Sequence, residues 1–211
     1  MNGLGEEQRA FLRAVDVSRE TLERLAAYEH LLKKWNPSIN LVAKSTLPTI
    51  WRRHFLDSAQ LFALARHHEG HWADLGAGGG FPGLVIAIMA MERAPGLRVT
   101  CVESDQRKAA FLRTVVRELG LPARVLAERA EEAAPLQADV LSARALAPLA
   151  RLLPQAERHL KPGGQALFPK GESFRDELSE ALETWSFQSE EYPSITDGSA
   201  VILSLGDIRR V

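Results

Sequence analysis

Apolar positions recur at helical spacing over the first third of the chain, then break into short runs that alternate with helical stretches. Leu22, Leu25, Tyr28, Leu32 and Trp35 lie three or four residues apart with charges between them, the stripe of an amphipathic helix. Ser18 stands where an N-cap belongs. Asn36-Pro37-Ser38 is expected to end this helix, because Pro37 disfavours helical geometry in Asn36. A loop from Ile39 to Leu47 follows and carries Asn40 and Lys44. A second helix is expected from about Pro48 to His67, with Ile50, Phe55, Ala59, Leu61, Phe62 and Leu64 as its apolar positions.

From Gly70 the pattern alternates. Strands are expected at 71–75, 98–103, 123–127, 138–143 and 164–169, and helices at 83–92, 106–119, 146–159 and 172–183. Gly120-Leu121-Pro122 and Lys161-Pro162-Gly163-Gly164 act as stop signals. Two further strands, near 185–191 and 200–205, are joined by a turn around Thr196-Asp197-Gly198-Ser199. This pattern predicts an α/β fold: a Rossmann-like, mostly parallel seven-stranded sheet with helices on both faces. Residues 1–69 would form a helical extension packed on a core of residues 70–211. Ligands of such sheets bind outside the carboxyl ends of the strands. Asp74, Glu103, Glu131 and Arg144 fall there.

The most informative stretch is Asp74-Leu75-Gly76-Ala77-Gly78-Gly79-Gly80-Phe81-Pro82-Gly83, between an apolar strand and a helical run. Glycines admit positive φ and close backbone approach. The helix start behind them offers unpaired N–H groups. Two ligand classes fit, a dinucleotide or S-adenosylmethionine. Gly78, Gly80 and Gly83 match the dinucleotide fingerprint formally, with Pro82 inside the match. Read from Asp74, the stretch is D-x-G-x-G-x-G. An acid there suits a ligand with an ammonium and a sulfonium and repels a pyrophosphate. Glu103, ending the second strand, can accept from both ribose hydroxyls in either class.

Composition narrows the setting. Basic and acidic residues nearly cancel, 26 against 27, so any RNA surface must be a local patch. The single cysteine, Cys101, lies in a predicted buried strand, which excludes a disulfide framework and fits a reducing compartment. No apolar run reaches membrane-spanning length, and the N-terminus lacks a signal pattern. A cytoplasmic monomer without membrane contact is expected. His54, His67, His68 and His71 show no metal-ligand spacing, so no metal site is expected.

Several motifs occur in a fixed order: Asn36-Pro37-Ser38-Ile39-Asn40-Leu41-Val42, His54-Phe55-Leu56-Asp57-Ser58, Asp74 to Gly83, Ser142-Ala143-Arg144-Ala145 and Phe168-Pro169-Lys170-Gly171. Together they resemble the RsmG (GidB) family, bacterial methyltransferases of small-subunit ribosomal RNA, over about residues 20 to 205. The resemblance implies a class I S-adenosylmethionine-dependent fold and methylation of guanine N7, at guanine 527 in standard rRNA numbering. It implies cofactor contacts at Gly76 and Phe81, at Glu103-Ser104-Asp105, at Ala130-Glu131 and at Arg144, alongside Asp74, Gly78 and Gly80 of the glycine motif. The implied partner is ribosomal RNA or a ribosomal particle.

Guanine N7 is a lone pair with no proton to remove, so positioning dominates and no catalytic dyad is required. The sequence shows none. Exocyclic-amine methylation looks like an (Asn/Asp)-Pro-Pro-aromatic motif, where this chain has Ser142-Ala143-Arg144-Ala145. Pyrimidine C5 methylation needs a nucleophilic cysteine, and Cys101 reads as core. Ribose methylation wants a lysine, a role open to Lys170. Arg144 could meet a guanine edge or a phosphate with its planar fork, or form an ion pair. Lys170 could meet phosphate. Asn40, His54 and Asp57 could close over the cofactor or simply pin the helical extension. Rival functions are an NAD-dependent oxidoreductase and a non-catalytic RNA-binding assembly factor.

Overall fold

The computed structural model describes residues 5–211. It opens with α1 (Glu6–Ala14) and α2 (Arg19–Ile39). Ser18 caps α2 as expected, accepting from the Thr21 N–H at 3.1 Å. The helix does not stop at Asn36, however. Pro37 lies inside its last turn. Loss of one N–H so near the end costs little, and Asn36 is held in place by its side chain: its buried Oδ1 accepts from the Val42 N–H at 2.9 Å. Asn40 ends the helix in the left-handed region, at φ 52°.

The second helical stretch is also more broken than its apolar pattern suggests. It begins as a 3-10 turn (Lys44–Thr49), widens into a π-helical turn (Trp51–Leu56) and becomes α3 (Asp57–Leu64). The wide turn directs Trp51, His54 and Phe55 inward together. Such turns are frequent at functional sites.

The rest is a single seven-stranded sheet of β1 (Gly70–Leu75), β2 (Leu97–Val102), β3 (Ala123–Leu126), β4 (Ala138–Ala143), β5 (Leu160–Lys170), β6 (Trp185–Pro193) and β7 (Val201–Arg210). The strand order is β3-β2-β1-β4-β5-β7-β6. All pairings are parallel except those of β7, which runs antiparallel to β5 and to β6. The connecting helices are α4 (Gly83–Arg93), α5 (Gln106–Leu119), α6 (Leu149–His159) and α7 (Phe174–Leu182). Lys161-Pro162-Gly163-Gly164 does not separate a helix from β5, as a stop signal would. It lies within β5 as an irregularity: Ala138 pairs with Leu160, yet Val140 pairs with Gln165. Gly163, at φ 77°, takes the bend. The helix expected from 146 begins at Leu149, after Pro148 at its N-cap.

Two cores flank the sheet. On one face α4 and α5 pack with α1, α2 and the π turn, so that Phe11, Leu25, Tyr28 and Phe55 share a cluster with Leu84, Phe111 and Val140. On the other, α6 and α7 cover Leu75, Leu141, Phe168 and Leu203. Val140 and Leu141 face opposite sides, as the two-residue strand period requires. The sheet's carboxyl edge is left open between β1 and β4, the point where the strand order reverses.

Candidate active site

Beneath that edge lies Asp74, fully buried at the end of β1. Its Oδ2 accepts from the Gly83 N–H at 3.0 Å, and its Oδ1 from the Ser142 hydroxyl at 2.7 Å. Ser142 in turn accepts from the Trp72 indole N–H at 2.8 Å. Burial raises the Asp74 pKa to about 7, against the lowering effect of the Ser142 and Gly83 bonds. The sequence reading set Asp74 opposite a cationic ligand. The structure places it under the glycine turn, without exposed surface and with each oxygen accepting a bond from protein. Gly83 is close to obligatory here, since a Cβ would come within 2.8 Å of both Asp74 Oδ2 and Cys101 Sγ. Cys101 is core, as read from the sequence, and burial pushes its thiol pKa up.

Above Asp74 the turn opens onto the cleft. Gly76 sits at φ 64° with the Leu146 side chain directly over it, 2.5 Å from where a Cβ would stand. The Gly78 N–H donates to Glu103 Oε2 at 2.8 Å, and the Asp105 N–H to Glu103 Oε1 at 2.8 Å. Each Glu103 oxygen keeps accepting capacity for a further donor. Asp105 is engaged as the N-cap of α5, accepting from the Arg107 and Lys108 N–H groups, and these bonds hold its carboxyl below the usual range. Ser104, Ala130 and Glu131 come together around a smaller cavity of about 160 Å³ beside the turn.

The main cleft, about 810 Å³, is lined by Gly76, Gly78, Phe81, Arg144, Lys170 and the π turn, among others. Arg144 spans it. Its Nη1 donates to Asp57 Oδ2 at 3.1 Å and to the Arg53 carbonyl at 3.2 Å, and its Nη2 donates to His54 Nδ1 at 2.9 Å. The guanidinium also lies over the Phe81 ring, 5.2 Å from its centroid. Because a guanidinium can only donate, His54 Nδ1 must be the acceptor and Nε2 carries the proton. That N–H reaches Thr46 Oγ1 at 2.8 Å. Burial lowers the His54 pKa to about 3, assisted by Arg144 and Arg53, so the ring is neutral at physiological pH. Asp57 Oδ1 takes the Thr196 hydroxyl at 2.8 Å and the Gln60 amide at 3.0 Å. One network thus ties the helical segment, β4 and the β6–β7 loop together.

Phe81 is buried in an aromatic stack between Tyr28, at 5.4 Å, and His54, at 4.8 Å. Lys170 is buried too, its Nζ donating to the Ala147 carbonyl at 2.9 Å and to Glu177 Oε2 at 2.8 Å. Asn40 is exposed at the helix end, while its neighbour Leu41 lines the cleft. Sequence reasoning missed Thr46 and Leu146, and it took Tyr28 for one more member of an apolar stripe. The Tyr28 hydroxyl in fact donates to the Gly79 carbonyl and clamps the glycine turn. Among the described residues, no group of three or more His, Cys, Asp or Glu is placed to hold a metal. Nor is any helix among them long and apolar enough to cross a membrane.

Comparison with known proteins agrees with this geometry. The family model GidB, described as rRNA small subunit methyltransferase G, matches residues 21–204. The chain is 57% identical over 198 residues to "Ribosomal RNA small subunit methyltransferase G" of Rhodospirillum centenum, covering 94% of this chain and 89% of that protein. It is 51% identical to the protein of the same name from Ruegeria pomeroyi, covering 93% and 96%. Among solved structures, a methyltransferase from Geobacter sulfurreducens superimposes with a TM-score of 0.59 at 18% identity, covering 96% of each chain. A mutant of MtNAS in complex with S-adenosylmethionine gives 0.58 at 17% identity, covering 94% and 82%. The fold is therefore that of the S-adenosylmethionine-dependent methyltransferases, and the chain belongs to the ribosomal RNA small subunit methyltransferase G family.

Proposed function

We propose that the protein methylates N7 of a guanine in small-subunit ribosomal RNA, with S-adenosylmethionine as donor. The observation that carries the choice of atom is that His54, Asp57 and Lys170, which line the cleft, are each engaged by protein partners. His54 is neutral, with both ring nitrogens bonded. Asp57 is held by Arg144 and Thr196, and Lys170 by Glu177. None is free to take a proton from a substrate. Guanine N7 asks for no such group.

The residues fit the donor. Gly76 itself puts no side chain into the cleft, where only Leu146 lies over it, and Glu103 retains lone pairs for sugar hydroxyls. Bound there, the donor supplies an electrophilic methyl group. What the chain contributes is alignment. The Tyr28–Phe81–His54 stack and the Arg144 network, joined at His54 and Phe81, fix the cleft wall as one unit. Holding two reactants in line is worth roughly 7–11 kcal/mol of barrier. Arg144 offers the Nε–H and one Nη2–H beyond its three bonds, suited to a phosphate or a guanine O6. Ribose methylation through Lys170 is disfavoured, since that ammonium is committed to Glu177. A substrate in ribosomal RNA is in keeping with a cytoplasmic enzyme.

Incubation with labelled donor and small subunits lacking the modification, followed by mapping of the base, tests the assignment. Binding of the particle without methyl transfer would favour the assembly-factor alternative. Binding of NAD in preference to S-adenosylhomocysteine would favour the oxidoreductase.

A further inference from the structure

Thr46 stands one contact behind the Arg144 network, on the 3-10 turn that leads into the π turn, and it lines the main cleft. Its hydroxyl proton is committed, since Oγ1 donates to the Ala43 carbonyl at 2.8 Å. Its lone pairs are left to accept, and His54 Nε2 lies 2.8 Å away. Across the ring, Arg144 can only donate, and its Nη2 meets Nδ1 at 2.9 Å. Both ends therefore ask for one imidazole, protonated on Nε2 and bare on Nδ1. Burial keeps that ring neutral.

Packing alone does not orient this ring. His54 stacks on Phe81 with centroids 4.8 Å apart and planes 26° from parallel. Stacking fixes the plane, but an imidazole turned over keeps nearly the same outline. Turned over, it would present carbon in place of nitrogen to both Arg144 and Thr46. Arg144 has one bond at stake in that choice, and Thr46 adds a second from a different segment of the chain. The guanidinium in turn depends on the ring. Two of its three bonds, to Asp57 Oδ2 and the Arg53 carbonyl, share Nη1. Among the described residues, His54 is the one hydrogen-bond partner of Nη2, so it decides how the fork is turned about the Nη1 anchor.

We propose that Thr46 is a positioning residue for the reaction. By fixing the edge that His54 presents, it sets the turn of the Arg144 fork and so the aim of the guanidinium N–H groups left for RNA. Thr46 acts through two side chains and touches neither methyl donor nor target base. The inference rests on the alignment role proposed above for Arg144, and it is independent of which RNA atom is methylated.

Single-turnover methylation of small subunits, together with nitrogen NMR of isotope-labelled arginine, tests it. Thr46→Val removes the hydroxyl and keeps the outline, and the turn retains its backbone bond from residue 46 to the Ala43 carbonyl, 2.9 Å in the wild type. This variant should slow methylation by about tenfold, the scale of one lost hydrogen bond. Thr46→Ser, which keeps the hydroxyl, should bring the rate back to within about twofold. In an Arg144→Ala background Thr46→Val should cost nothing further, because the residue it acts through is gone. The Arg144 Nη–H signals, identified by their loss in Arg144→Ala, should broaden in Thr46→Val and sharpen again in Thr46→Ser. Thr46→Ala serves if the valine variant unfolds. Unchanged signals or an unchanged rate without the hydroxyl would overturn the proposal, as would a loss that serine does not repair or that persists without Arg144. A wild type that transfers no methyl group would sink the proposed reaction, and the spectra would still decide whether Thr46 holds the fork.

Discussion

Arg144 Nη2 stands 2.9 Å from His54 Nδ1, ninety positions earlier in the chain, and the cation donates to a ring that stays neutral. This contact sets the tautomer of His54 and aims the remaining guanidinium N–H groups. Arg144→Ala should lower methylation by on the order of a hundredfold, since small misplacements of reactants cost that much. Its effect on stability should be about 1–3 kcal/mol, the range for lost charge-assisted hydrogen bonds. Single-turnover kinetics and urea titration separate the two. Arg144→Lys should rescue little activity, because an ammonium cannot make three planar contacts at once. Equal activity in the alanine variant would remove Arg144 from the site.

His54 gives the pH prediction. Its folded pKa, about 3, lies below the ordinary value of 6.5. Between those values the unfolded chain binds a proton that the folded chain refuses, so this residue makes stability fall as pH drops from about 6.5 toward 3. Asp74, raised to about 7, works in the opposite sense and favours the folded state at the acid end of its range. The His54 contribution therefore appears as a difference against His54→Gln. Wild-type stability should drop relative to the variant as pH falls through that window. A turnover limb near 6.5 that is present in the wild type and lost in His54→Gln would mean that His54 titrates in the active enzyme; the expected result is no such difference.

Glycine substitutions separate the clamp from the ligand surface. Gly80, at φ 94°, would carry a Cβ 2.5 Å from the Tyr28 hydroxyl and 2.6 Å from Leu84. Gly80→Ala should destabilise by about 1–3 kcal/mol in urea titration. Gly76→Asp places a charge where the turn meets the cleft and should abolish S-adenosylhomocysteine binding by calorimetry. Gly171, also at the cleft but with open space around it, should accept Ala with neither effect.

Lys170 serves as a test of structural against chemical roles. Lys170→Met leaves Glu177 half-buried beside it without its cation, though still bonded to the Leu149 N–H at 2.7 Å. Removing one partner of a mostly buried pair is strongly destabilising, up to about 3–5 kcal/mol, and pairing with Glu177→Gln should recover part of that. Activity per folded molecule should survive in the double variant. Its complete loss would restore Lys170 as a reacting group.

The alternating strands, the glycine turn and the Ser18 cap were legible because each follows from local periodicity or local chemistry. Pro37 misled, because Asn36 is held by a side-chain bond to Val42 that no propensity reveals. Asp74 was located but not its direction. Whether a strand-end acid points up to a ligand or down to Ser142 depends on a neighbouring strand 68 residues away. The same holds for Lys170, whose partner Glu177 lies on the following helix, and for Tyr28, whose hydroxyl meets Gly79 across the fold. Residues that act through distant partners leave no trace in spacing.

On the proposed reading, this cleft transfers a methyl group to a base lone pair without removing a proton. Small subunits lacking the modification, treated with enzyme and labelled donor, should yield label in 7-methylguanine after nucleolytic digestion and mass analysis. Label in a 2′-O-methylated ribose or an exocyclic amine, either of which demands a proton acceptor, would contradict it.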